Sequence, residues 1–558
     1  MHLRIAILAL LVTLASSSLH FTPGTLEGTD LDAEGGLTDK QLSVFNWLEG
    51  NVHSKLVTGE WPPIYQTNQT GNLPIQRGMP SYRYSLAFSA YAAAARALTH
   101  HPAYTSSTFQ LLSNIFTLLT DPDVWSFWSQ SGDCAPFFLT PYCEKHQVSM
   151  CDLDAAWHGE DATRCPDPVF FGNIMYSGHL AHVGSLVRLF APTPSAADEV
   201  LSFSLGETSY TLDSLLDRLR AQSNDSIDTL GGGITCEPAN VYPSCQSHSQ
   251  AALRLSAVLD DGNTTESQTR LRQAWQQYLL SENMFEHLDS GPLGERMFKI
   301  AQQSPRHPAI PDFGIPIGCA SHDVWVLAYM LAWADDDLGD DVPRPGEVVA
   351  RGRELLREHP GWKDGQLQDE RCSLLAGEEN WDTASAMFVL LESAVSRGGD
   401  GDMARAKEAI LRFEKQAEAS ANEMHYTSSY GLDVLVTTQL AMGFVVEANT
   451  MADLHGAAGV EALRRDGGGW LDEVLSKGGE QVFVRTAKRA VGGGALAFTL
   501  VTGSASKDVA VARIGGVQRQ GVRVLVNGEK VEGRVDGRLF EVEVQLQDGL
   551  DAVVEVSW

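Results

Sequence analysis

The stretch YSLAFSAYAAAARAL, Tyr84 to Leu98, decides the fold. It has the length and apolar period of a helix, with too few polar residues for a solvent face, so it reads as a helix buried on most sides. The pattern repeats outward from it. Similar apolar runs occupy residues 108–120, 178–191, 249–259, 324–334, 383–395 and 431–448, separated by loops carrying Gly, Pro, Asp and Asn. Between several of them lie more polar runs such as SLLDRLRAQ, TRLRQAWQQYLL and ARAKEAILRFEKQAE. A strongly apolar helix alternating with an amphipathic one predicts an inner and an outer layer. The spacing, roughly one helical hairpin every 50 to 70 residues, suits a toroid of helix pairs over residues 37–457.

After Asp466 the texture changes. EQVFVRTA, ALAFTLVT, DVAVARIG, VRVLVNGEKVEG, LFEVEVQLQ and AVVEVSW read as short strands, with Asn527-Gly528 as a tight hairpin turn. Residues 467–558 are therefore expected to form a small β-sandwich with a structural or interdomain role.

The chain has 558 residues, 41 basic against 71 acidic, for a formal charge of −30. That balance repels phosphate backbones and anionic membrane surfaces. The longest basic cluster, RTAKRAV near residue 485, reads as the exposed face of a strand, so no nucleic-acid partner is expected. The N-terminus, MHLRIAILALLVTLASSSLH, has one Arg, an apolar run and small residues suited to cleavage near Ser16 to Ser18. It predicts a signal peptide over residues 1–18, no membrane span, and a secreted or luminal protein. Sequons at Asn68, Asn224 and Asn263 agree with that route.

Of eight cysteines, Cys134, Cys143, Cys151 and Cys165 lie in a segment rich in Asp, Pro and Gly that reads as a long loop. Two bridges of unassigned pairing are expected there. Zinc is the competing reading because His146 lies close to Cys143, but tight CxxC pairs are missing.

Two further stretches carry chemistry. In FGNIMYSGHLAHV, residues 171–183, His179 follows a Tyr-Ser-Gly turn that would expose its ring to a cavity, and His182 shares that face. Two histidines without a nearby carboxylate make a poor metal site, so acid–base work or hydrogen bonding is the sharper reading. In CEPANVYPSC, Cys236 to Cys245, Pro238 and Pro243 predict an extended or turned segment whose thiols face one cavity. A thiol there serves as nucleophile or proton donor, while spacing alone favours a bridge. The inner helices also share polar or aromatic residues at their N-terminal ends, among them Tyr82 and Tyr84, Cys245 and His248, and His322 and Asp323, which would converge on the central cavity.

Taken together, PIQRGMPSYRYSLAFSAYAAA, NIMYSGHL and CEPANVYPSCQS resemble the linalool dehydratase/isomerase family, whose members carry a KYSIAF-type helix, an NIMYxGHL turn and a CEPDNxFxQCN-type segment in this order. The resemblance covers about residues 40–450. It implies an (α/α)6 barrel, a ring-like homo-oligomer, and cofactor-free acid–base chemistry on allylic terpene alcohols: reversible loss of water to a diene and movement of the hydroxyl between tertiary and primary positions. It assigns His179, Cys236 and Cys245 to the catalytic centre, and Tyr65 of WPPIY matches the family's loop tyrosine across a short gap. Where the family has an aspartate six residues before that tyrosine, this chain has Gly59, with Glu60 beside it. Where the family reads SAYTTAW, this chain reads CASHDVW, which replaces the tyrosine by Ser321, brings in His322 and Asp323, and keeps Trp325. These exchanges make the pocket more polar and argue against assuming linalool itself.

On this reading one thiol and His179 handle the hydroxyl or its water, and the second thiol or Tyr65 removes the carbon-bound proton. A covalent thioether is an alternative route. Met175, Tyr176, Tyr242 and Trp325 wall the pocket and His322 adds a polar contact to the lipophilic substrate; neither metal nor cofactor is required. A cyclase that uses the same acid–base residues to close a ring is a near variant, and two other classes compete. Helical toroids also house glycosidases and polysaccharide lyases, for which Glu60, Asp323, Glu379 and Asp382 would be the carboxylates. A non-catalytic binding protein with bridged thiols is the third.

Overall fold

The computed structural model describes residues 36–62, 81–125, 167–169, 174–230, 232–234, 240–241, 243–260, 266–280, 302–303, 362–363, 366–367, 418–419, 426–427, 433–445, 450–463, 470–477, 482–489, 495–502, 508–517, 522–536, 538–547 and 550–558. It is helix-rich, with a β-sheet region at its C-terminal end. The main helices are α1 (Asp39–Thr58), α2 (Ser81–Thr99), α3 (Thr105–Leu119), α4 (Ile174–Phe190), α5 (Leu212–Asp225), α6 (Pro243–Leu259), α7 (Glu266–Leu280) and α8 (Asp433–Val445).

Burial separates them into two layers. In α2 every residue from Leu86 to Ala97 is buried, and in α4 only Arg188 and Leu189 reach partial exposure. By contrast α3 and α5 bury one stripe, Leu212, Leu215, Leu216 and Leu219 in α5, and turn polar residues outward. The inner helices pack on one another: α4 on α6, α4 on α2, and α8 back on α2. Caps fix the outer ones. Thr38 and Gln41 form a reciprocal capping box at the start of α1, as Thr211 and Ser214 do for α5. The Gln41 side chain then donates to the Phe444 carbonyl at 2.7 Å, tying α1 to α8 across 403 residues of sequence. Gly184 allows a close approach of the layers, because a Cβ there would lie 2.9 Å from Leu212 Cδ1 and 3.0 Å from Phe116 Cε2.

Two helix starts differ from expectation. Tyr176-Ser177-Gly178 is no turn but the first turns of α4, which begins at Ile174; Gly178 faces the start of α6, where a Cβ would meet the Cys245 carbonyl oxygen at 3.4 Å. α6 begins at Pro243 rather than six residues later, placing Cys245 in its first turn. Proline suits that position, where its missing N–H has no intrahelical partner to lose.

The C-terminal strands are β1 (Trp470–Ser476), β2 (Val482–Arg489), β3 (Ala495–Thr502), β4 (Asp508–Gly515), β5 (Arg523–Val526), β6 (Glu529–Val531), β7 (Gly533–Asp536), β8 (Leu539–Leu546) and β9 (Ala552–Ser557). They form a five-stranded sheet, β2-β3-β9-β5-β6, and a four-stranded sheet, β7-β8-β4-β1. One apolar core, including Phe498, Leu500, Ile514, Val542, Val544 and Val556, draws on both. Strict alternation of buried and exposed residues along β9 turns one face of that strand into it. Asn527 and Gly528 have φ of 51° and 81°, the left-handed pair of a two-residue hairpin between β5 and β6. On the four-stranded sheet, Arg534, Glu541, Arg513 and Glu473 face one another in register, and charges of alternating sign link across all four strands. The two arginines, Arg513 foremost, hold the Glu541 carboxyl below the usual carboxylate range.

The strand region is fastened to the helices through its edges. Ala487 of β2 donates to the His100 carbonyl at 2.9 Å and accepts from Ala103 at 3.0 Å, and Leu471 of β1 donates to the Ala103 carbonyl at 2.8 Å. The turn after α2 thus extends both sheets and covers an edge of each. Arg485, expected on an exposed face, is instead a clamp: it pairs with Asp39 and Asp551 and donates to the Leu37 carbonyl at 2.7 Å. Among the described residues no helix is long and apolar enough to cross a membrane.

Candidate active site

Three inner helices and one turn send side chains to a common point. Helix α2 presents Tyr84, Phe88 and Tyr91, spaced as one helical face; α4 presents Met175, His179 and His182 in the same way; α6 presents His248. His455 enters from the turn between two short helices, Thr450–Leu454 and Ala457–Leu463. All four histidines are at most 3% exposed.

Their contacts form a network. The Tyr91 hydroxyl and His179 Nδ1 share a hydrogen bond of 2.8 Å. Tyr84 meets the His179 ring edge-on at 5.4 Å, and the His248 ring lies 4.0 Å from it on centroids. His248 in turn stacks on Tyr91, nearly parallel at 5.3 Å. His182 joins His248 through their Nδ1 atoms at 3.3 Å and His455 through their Nε2 atoms at 2.6 Å. Arg83, also buried, points Nη2 at Met175 Sδ, 3.5 Å away, and its guanidinium lies 5.1 Å from the Tyr84 ring centre.

Electrostatics follow from burial. Desolvation, with a smaller contribution from the Arg83 cation, pulls the His179 pKa down to about 3. His182 and His248 are lowered for the same first reason and then by neighbouring imidazoles. Desolvation raises Tyr91 well above its ordinary range, so its hydroxyl keeps its proton. At neutral pH His179 is therefore an uncharged imidazole, fitted to exchange hydrogen bonds rather than to hold a proton, set against an aromatic wall by a phenol that stays protonated.

Of the residues singled out from sequence, His179, His182, His248 and Met175 come together here. Cys245 sits half-buried in the first turn of α6, its carbonyl against Gly178, the residue before His179. Tyr176 turns elsewhere, donating its hydroxyl to the Leu119 carbonyl on α3 at 2.9 Å. Glu60, a candidate carboxylate, is solvent-exposed beyond the end of α1. Tyr65, Cys236, Tyr242, His322, Asp323, Trp325, Glu379 and Asp382 lie outside the described residues, as do Cys134, Cys143, Cys151, Cys165 and the N-terminal 35 residues. Tyr91, Arg83 and His455 were not anticipated. The spacing of Tyr84, Phe88 and Tyr91 on one helical face was the available signal for Tyr91.

Among the described residues no group of three or more His, Cys, Asp or Glu is placed to hold a metal ion. The histidines illustrate why: His182 gives opposite ring nitrogens to its two neighbours, so the three cannot converge on one ion. A separate depression of 930 Å³ lies at the other ends of the inner helices, walled by Phe190, Leu259, Val460 and Leu463 and rimmed by the Arg188–Asp213 and Arg220–Asp217 pairs.

No curated protein sequence matches the chain. Among solved structures, Ara127N-Se, a GH127 β-L-arabinofuranosidase from Geobacillus stearothermophilus T6, is similar at 12% identity and a TM-score of 0.24, covering 93% of this chain and 80% of that one. The GH127 β-arabinofuranosidase BT3674 is similar at 10% identity and a TM-score of 0.26, covering 93% and 77%. The family model described as linalool dehydratase/isomerase matches residues 83–147 and 154–340, a span holding Arg83, Tyr91, His179, His182, Cys245 and His248. Over residues 83–340, then, this chain matches the linalool dehydratase/isomerase family.

Proposed function

We propose that the protein is a cofactor-independent acid–base lyase/isomerase acting on a terpenoid or similarly lipophilic allylic alcohol, in small-molecule biosynthesis along the secretory route. The observation that carries the reading is His179, an uncharged buried imidazole set by Tyr91 within a motif of the matched family. Elimination of water from an allylic alcohol needs a proton donor for the hydroxyl, a base for the neighbouring carbon and an apolar enclosure for cationic character. His179 supplies a neutral hydrogen-bonding partner for the hydroxyl or its departing water. Cys245, at the head of α6, and Cys236 are the proton donor and acceptor of this scheme, with Tyr65 as the alternative base. Tyr84 and Phe88, added to Met175, supply the aromatic wall. Addition of water to the other end of the diene completes isomerisation. The return of α8 onto α2 supports closure of the helices into an (α/α)6 ring.

The test is a substrate panel. Full-length protein incubated with acyclic terpene alcohols and, separately, with oligosaccharides is read by chromatography. Dienes or transposed alcohols are expected, with Cys245→Ala and Cys236→Ala folded but inactive. Oligosaccharide cleavage without terpene turnover would replace this reading by a glycosidase, and a permanent Cys236–Cys245 bridge in active protein would remove the thiols from the mechanism.

A further inference from the structure

The three histidines behind His179 have no part in the scheme above. Their arrangement is linear. His248 and His182 share a hydrogen bond through their Nδ1 atoms, and His182 and His455 through their Nε2 atoms. At 2.6 Å the second pair has room for a hydrogen between the nitrogens and none for an ion. A neutral imidazole carries one N–H and one lone pair, so His182 donates to one neighbour and accepts from the other. The row has two such arrangements, which differ only in the direction of donation.

We propose that His248, His182 and His455 are a proton relay that resets the acid–base groups of the site; this rests on the acid–base reading above. In one arrangement His248 Nδ1–H donates to His182 and His182 Nε2–H donates to His455. A proton arriving at His248 Nε2 passes its Nδ1 proton to His182 Nδ1. The Nε2 proton of His182 moves to His455 Nε2, and His455 releases the proton on its Nδ1. One proton enters, one leaves, no electrons move, and both hydrogen bonds survive with direction reversed. Loss of water followed by its re-addition would run the row out and back without any ring turning over. The need is physical: His179, beside the Arg83 cation and sealed by Tyr91 and Phe88, is a poor store for a proton between turnovers. The row starts 4.0 Å from the His179 ring. It ends at His455, two residues before the helix whose Val460 and Leu463 wall the depression at the other ends of the inner helices.

Two readouts on the full chain test this. In protein labelled with 15N-histidine, long-range proton–nitrogen correlation should show both nitrogens of His182, identified by their loss in His182→Gln, at shifts between those of a protonated and a bare nitrogen. Fixed single tautomers at every pH would overturn the relay. With an alcohol that the wild type turns over, His182→Gln should lower kcat by roughly tenfold or more with KM unchanged, and added imidazole should restore part of the loss. A folded variant with wild-type kcat, or one that imidazole leaves uncorrected, would overturn it. If the wild type converts no alcohol, the acid–base reading fails by itself and the nitrogen shifts still decide whether the row moves protons.

Discussion

Lowering the pH from 7 to 5.5 should loosen the helical region through the imidazoles around His179. Burial puts the folded pKa of His179 at about 3 against 6.5 for an ordinary histidine, so the unfolded chain takes up a proton that the folded chain refuses. The stability that this refusal represents is fully present above 6.5 and is lost as the pH falls from 6.5 toward 3. Over the full window it amounts to about 5 kcal/mol, and between pH 7 and 5.5 to about 1.2 kcal/mol for His179 alone. His182, His248 and His101, the last buried beneath β2 and lowered mainly by desolvation, act in the same direction. A competing effect runs the other way, because the chain carries a charge of −30 and acid relieves its self-repulsion. The comparison that isolates the site is therefore His179→Gln against wild type. Urea unfolding followed by tryptophan fluorescence at pH 7, 6 and 5 should give a pH slope shallower in the variant by about 1.4 kcal/mol per unit at the acid end. Identical slopes for variant and wild type would refute the account of a neutral, desolvated His179.

Two substitutions probe the packing. Gly184→Ala adds a Cβ within 3.0 Å of Leu212 and Phe116, both essentially buried, so overpacking of about 1–3 kcal/mol should outweigh the helix propensity gained and lower the Tm; an unchanged or raised Tm would show that the layers have slack there. Tyr176→Phe leaves the Leu119 carbonyl without its phenol and should cost about 1–2 kcal/mol in denaturant unfolding while KM stays put; a raised KM would return Tyr176 to the substrate pocket.

The two helical layers were legible where burial leaves a compositional mark, as in α2 and α4, apolar on all faces, and α5, which alternates; α3 was not, because its run 108–120 reads as an inner helix yet buries only one stripe. The strands and the Asn527-Gly528 hairpin were legible from period-two alternation and from the one dipeptide whose backbone suits a left-handed turn. The starts of α4 and α6 were not, because Gly178 and Pro243 usually punctuate helices, and here close packing and an N-terminal position make each compatible with one. WLDEVLS carries too little alternation to announce β1, which exists because β4 offers it a partner. In the site, His179 was legible through its motif. His455 was not, since it meets His182 across 273 residues and nothing local to it marks the encounter. Arg485 was misjudged for the same reason: a basic residue in a strand looks solvated until its acidic partners arrive from remote segments.

The clamp at Arg485 also sets an order of events during synthesis. Leu37 and the turn at His100–Ala103 take their hydrogen-bond partners from residues 471–487, which leave the ribosome more than 360 residues after them. At about 5–20 residues per second, the wait from Leu37 to Arg485 is roughly 20–90 seconds. For that interval α1, α2 and the turn between α2 and α3 exist with their later contacts unmade, including the Phe444 carbonyl that Gln41 requires. The first hundred residues are thus made early and finished late, and a chain cut short before β2 would leave them exposed to whatever binds unfinished protein.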